Sequence, residues 1–151
     1  MEPGSGSSIM AYAGICAPNV QNNSDALFHG VSLGEIGAFI TGTGDGCPVK
    51  SALTNTAPSI TGSPGNITIP QGTPFALTLI ANDPDGNTLT YTWEQMDNQV
   101  STQSPVGTST DGPNFRSIMP STDPTRYFPN LTDLIAGGPF TWEVLPTVAR
   151  S

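Results

Sequence analysis

The sequence predicts a mainly β protein that carries a small turn-and-helix segment at its N-terminal end, and three observations lead there. Glycine and proline number 17 and 15 among 151 residues, which suits a turn-rich β protein better than a helical bundle. Charged residues are sparse, at 11%. In the second half of the chain apolar side chains recur with period two, as strands with one buried face require. The same alternation argues against disorder there.

Composition divides the chain into residues 1–47, a polar linker over 48–58 closed by Pro58, and residues 59–151. The first segment holds both cysteines and the one histidine. Its helical pattern runs over 32–40, with Leu33, Ile36, Phe39 and Ile40 on one face. Ser32 and Glu35 have the spacing of a capping box, which places the helix start at Ser32. Gly42 is expected to end the helix in a left-handed conformation. So short a helix is marginal alone and must dock its apolar stripe, yet a 47-residue segment offers little core. The docking surface is therefore expected outside this chain.

The second segment reads as strands. Residues 66–69 form a short one. Residues 74–81 place Phe75, Leu77 and Leu79 on one face, and residues 88–95 place Leu89, Tyr91 and Trp93 inward with Thr88, Thr90 and Thr92 outward. Asn82-Asp-Pro-Asp-Gly-Asn87 between them is a dense turn former. Residues 97–123 read as a long surface loop, 126–128 and 141–145 as further strands, and 131–136 as a helical turn. That makes about five strands, where a closed immunoglobulin-like sandwich takes about seven. The expected fold is an incomplete Ig-like β-sandwich, truncated at its C-terminal end.

A net charge of −8 and a pI near 4.1 repel phosphate backbones and anionic lipid, so neither nucleic acid nor a membrane surface is an expected partner. No apolar run approaches the roughly 20 residues of a membrane span. The first residues lack the basic and apolar regions of a signal peptide.

The sharpest motif is Gly6-Ser-Ser-Ile-Met-Ala-Tyr-Ala-Gly-Ile-Cys16. It resembles the Met-turn of metzincin zinc endopeptidases, in particular the bacterial reprolysin-like group. Asn22-Asn-Ser-Asp25, Phe28-His29 and Ser32-Leu-Gly-Glu-Ile36 resemble the segment after that turn, so the likeness covers about residues 2–49. It implies that Met10 is the methionine packed beneath the zinc-ligand imidazoles. It also implies that Tyr12 serves as an extra zinc ligand or stabilises the oxyanion of the tetrahedral intermediate. The family's HExxHxxGxxH is absent, and one histidine cannot supply three zinc nitrogens. Zinc is thus expected in a parent enzyme and not in this chain, which should not hydrolyse peptides by itself. His29 matches no zinc position and reads as structural, and Asp25 and Glu35 read as turn and capping groups.

Asn55-Thr-Ala-Pro58, residues 69–75 and the run from Asn82 to Trp93 resemble the PKD and cadherin-like Ig-like modules of secreted bacterial hydrolases. Phe115-Arg116, residues 121–126 and 141–150 resemble the module found after reprolysin-like catalytic domains. Likeness to secreted enzymes implies an extracellular chain and favours a Cys16–Cys47 disulfide over the alternative of two free thiols. Asp83, Asp85 and Asn87 offer alternating oxygens that can suit Ca²⁺, or else form an Asx-rich turn that satisfies itself. The expectation is the C-terminal part of a secreted zinc metalloendopeptidase, its partners being the N-terminal catalytic half and a protein or peptide substrate. The alternative is an extracellular Ig-like binding or adhesion module.

Overall fold

The computed structural model describes residues 2–98 and 104–150. Residues 99–103, part of the stretch expected to be a loop, lie outside it, as do the two terminal residues. The elements in order are α1 (Gly30–Thr41), β1 (Ser59–Gly62), β2 (Phe75–Thr78), β3 (Ile80–Asn82), β4 (Thr125–Phe128) and α2 (Leu131–Ile135). They make two antiparallel two-stranded sheets, β1 with β3 and β2 with β4.

The alternation read over 74–81 is present, with Phe75, Leu77 and Leu79 half-buried and their neighbours exposed. The single strand expected there is split at Leu79, whose amide donates to the Pro124 carbonyl at 3.2 Å. Before Leu79 the chain pairs with β4, and after it with β1, so one continuous run serves two sheets. β1 itself carried no sequence signal: three of its four residues are exposed, and its register shifts between Ile60 and Gly62.

Three expected strands do not form. Residues 88–95 keep the burial pattern of a strand, yet their backbone makes only a bridge between Tyr91 and Ser121. The opposing stretch cannot extend that ladder. Pro120 and Pro124 lack amide donors, and the amides of Asp123 and Thr125 are engaged by the side chains of Ser121 and Asp123. Residues 141–145 are broken by Trp142 at φ 60°, a left-handed conformation incompatible with a pleated strand. Residues 66–69 are exposed throughout and have no strand beside them among the described residues. Asn130 caps the helical turn expected near 131–136, its Oδ1 accepting from Thr132 N at 2.9 Å.

The core sits where β2, β4 and residues 114–117 meet. Phe75 stacks on Phe128 with ring centroids 4.8 Å apart, and Phe115 meets both edge-on at 5.7 and 5.1 Å. Phe115, placed by the sequence in a surface loop, is instead buried in this cluster. Gln95 fixes it there, its Oε1 accepting from Asn114 N at 2.7 Å and Phe115 N at 3.2 Å.

Beside the aromatic cluster, Arg126 gathers the remaining segments. Its guanidinium lies 4.5 Å from the Phe128 ring centroid and donates to the Trp93 carbonyl, to the Arg116 carbonyl at 2.5 Å and to Glu143 Oε1 at 2.6 Å. Glu143 Oε2 accepts from Asn130 N at 2.6 Å.

Replacing Phe115 with alanine is expected to cost about 3–5 kcal/mol in denaturant unfolding, as for a buried aromatic. Phe39→Ala, on the exposed face of α1, is expected to shift stability by no more than about 0.5 kcal/mol.

Candidate functional site

The turn over 6–12 is built on a buried carboxylate. Glu2 Oε1 accepts from Ser7 N at 2.8 Å and Ser8 N at 3.1 Å, and its Oε2 accepts from Ser8 Oγ at 2.6 Å. No sequence pattern pointed to this role, because Glu2 belongs to no periodic run and half of its hydrogen bonds come from backbone amides, which any residue supplies. Gly6, at φ +68°, permits the close approach: a Cβ there would stand 2.7 Å from the Ala11 Cβ and 3.1 Å from the Glu2 carboxylate. Backbone hydrogen bonds then tie the turn to residues 25–27, from Asp25 N to Ser7 O at 2.7 Å and from Ile9 N to Leu27 O at 2.9 Å.

On this frame Met10 and Tyr12 face outward, 64% and 62% exposed. They line one cleft of about 300 Å³ with Glu2, Ser8, His29 and Ser32. The structure therefore brings Met10, Tyr12 and His29 together. His29 is only 3% exposed, and its Nδ1 accepts from Val31 N at 3.2 Å as the N-cap of α1. This corrects the expected helix start: α1 begins at Gly30, and Ser32 lies inside it. At the other end Gly42 caps at φ −111° and not in the left-handed region, its amide donating to Phe39 O at 3.2 Å.

α1 buries none of its residues. Leu33, Ile36, Phe39 and Ile40 are all exposed, together with Ile9 and Ile15 near the turn. Cys16 and Cys47 are exposed free thiols, so the expected disulfide is not formed in this structure. Both thiols face solvent, and α1, which the bond would have tied down, buries none of its residues.

Asp83, Asp85 and Asn87 form a self-satisfied turn. Asp83 Oδ1 accepts from Asp85 N at 2.9 Å, Asn87 N at 3.1 Å and Asn87 Nδ2 at 3.3 Å, while Asp85 Oδ2 accepts from Thr56 N at 2.5 Å. The backbone hydrogen bond from Asn87 leads in holding the Asp83 carboxyl below its ordinary value of 3.8. Among the described residues, no three His, Cys, Asp or Glu side chains gather where they could hold a metal ion. The one imidazole in the cleft around Met10, that of His29, is engaged in capping α1.

Arg126 and Glu143 form the most enclosed ion pair among the described residues, their side chains 10% and 1% exposed. Burial pushes the Arg126 guanidinium down and the Glu143 carboxyl up, each against the pull of the partner's charge. Their role is architectural. One signal could have found them: only four lysines and arginines face twelve acids, so each arginine had strong grounds to pair internally.

Comparison with protein-family models, with curated proteins and with solved structures finds no match to this chain. No helix among the described residues is long and apolar enough to cross a membrane.

Two outcomes test this geometry. Both thiols should react with Ellman's reagent in the native chain at the rate of exposed cysteines, two equivalents per chain. The folded pKa of Asp83 lies below its unfolded value, so its stabilisation of the turn is complete above that value and is lost as pH falls through the lower, folded one. Its carboxyl ¹³C titration should have a midpoint below 3.8, and Asp83→Asn should remove the acid sensitivity of Asn87 amide exchange.

Proposed function

We propose that this chain is the C-terminal part of a secreted reprolysin-like zinc metalloendopeptidase, comprising its Met-turn, the adjoining pocket wall and an Ig-like module. The parent hydrolyses peptide bonds; this chain alone does not. Met10 and Tyr12 carry the reading. Two large side chains held outward by a turn whose own frame is buried and hydrogen-bonded suit a platform for polypeptide that lies elsewhere. The exposed apolar face of α1 supports it, because a helix with no buried residue is stabilised only weakly by this chain. The resemblance of residues 6–16 to the Met-turn supplies the chemistry. Zinc and its histidines are assigned to the N-terminal half, and this chain provides the methionine floor and the Tyr12 phenol.

The test is to read the in-frame sequence upstream of Met1 for HExxHxxGxxH and to express that polypeptide joined to this chain. The joined protein is expected to bind one zinc and to cleave casein until a chelator is added. In it Tyr12→Phe should lower kcat by roughly 10²-fold, and Met10→Leu should weaken zinc binding by roughly 10-fold to 100-fold. An upstream sequence without the motif, or casein cleavage by this chain alone with stoichiometric zinc, would overturn the reading.

A further inference from the structure

The linker over 48–58 has no regular structure and is exposed, which would allow the two segments to move apart. Their side chains are arranged otherwise. Gly30 N, the first amide of α1, donates to Glu94 Oε2 at 2.5 Å, while Glu94 Oε1 accepts from Ser117 Oγ at 2.9 Å. Arg116, beside Ser117 and the buried Phe115, reaches back to donate to Gln21 Oε1 and stands 3.8 Å from Asp25 Oδ2. The Trp142 ring covers Gly4 so closely that a Cβ there would approach it to 2.8 Å. A carboxylate at the first turn of a helix satisfies an otherwise unpaired donor and complements the positive end of the helix dipole.

We propose that Glu94 and Arg116 form a clasp by which the β segment holds the start of α1, and through it sets the position of His29 in the wall of the Met10–Tyr12 cleft. The partner recognised is the chain's own N-terminal segment. This holds whether or not the chain belongs to a peptidase. Glu94 is a positioning residue: it touches Gly30, and the neighbouring His29 turns its ring to cap the same helix end. A neutral His29 ring whose Nδ1 accepts from Val31 N carries its hydrogen on Nε2. The linker then acts as a strap across a closed joint and not as a hinge. A Cβ on Gly30 would stand 3.2 Å from Glu94 Oε2 and 3.5 Å from Met96 Sδ, so a larger residue there should wedge the clasp open while leaving Glu94 in place.

Because the chain has a single histidine, its ring ¹⁵N and ¹³C shifts report this joint without assignment ambiguity. In the whole chain the shifts are expected to show the Nε2–H tautomer. Glu94→Ala and Gly30→Val should each move them toward averaged-tautomer values and speed amide exchange at position 30 at least tenfold. Glu35→Ala, on the exposed side of α1, should do neither. A second measurement covers the case of a variant that folds poorly. A specific protease site is inserted between Leu53 and Thr54 in the wild-type chain and cut. The two pieces should then co-elute in size exclusion, and they should separate when Glu94→Ala and Arg116→Ala are combined. Both cysteines lie in the first piece, so no disulfide can hold the pieces together. Separation of the cut wild-type pieces, or His29 shifts unchanged in both Glu94→Ala and Gly30→Val, would overturn the clasp. Either result would leave the peptidase reading standing, since that is decided by the upstream sequence.

Discussion

The buried pairing of Arg126 with Glu143 is the constraint from which the rest of the second segment hangs. Few regular strands organise this chain, and one guanidinium takes over much of that work. It binds the carbonyls of Trp93 and Arg116 from two irregular stretches, the carboxylate that also anchors Asn130, and the face of Phe128. Desolvation opposes both charges, as the directions of their shifts record. Such a pair adds little net stability over an apolar substitute. Its worth is geometric, because removing either member strands the other inside.

The aromatic cluster and the ion pair divide the labour differently from a sheet-built domain. Phe75, Phe115 and Phe128 supply apolar burial at one point. Hydrogen bonds from side chains to backbone then hold residues 91–97, 111–117 and 141–145 around it in place of ladders. Arg150 closes the far side in the same manner, donating to Asn114 Oδ1 at 2.9 Å and Gly112 O at 2.7 Å. The N-terminal segment repeats the device with opposite charge: Glu2 is its organising carboxylate, and amides are its partners. In both segments a buried charge with several hydrogen bonds stands where a larger core would otherwise set the chain path.

The consequence for function lies in the side chains each segment leaves outside. The turn frame is buried, and the residues it presents are not. Ile9, Met10, Tyr12 and Ile15 stand exposed on a hydrogen-bonded base, and the apolar residues of α1 are exposed as well. The clasp at Glu94 gives that surface a fixed orientation relative to the β segment. A module joined in this way is more than a spacer, since it supports the same helix start that shapes the cleft.

Local sequence placed α1 to within three residues at its start, and it set the inward side of 75–79, the helical turn at α2 and the turn chemistry of 82–87. Each rests on local periodicity or on side chains bonding to neighbouring backbone, which need no distant partner. The remaining features depended on the packed chain. The cap of α1 moved from Ser32 to His29 because the helix start is claimed from across the chain by Glu94. Phe115 left its expected loop for the core, and the strand pattern over 88–95 found no ladder because prolines and side-chain-bonded turns occupied the opposing stretch. For the roles of Arg116, Arg126 and Glu143 the scarcity of bases was the one signal, because an enclosed charge is specified by the donors and acceptors that fold around it, and theirs come from residues far apart in sequence.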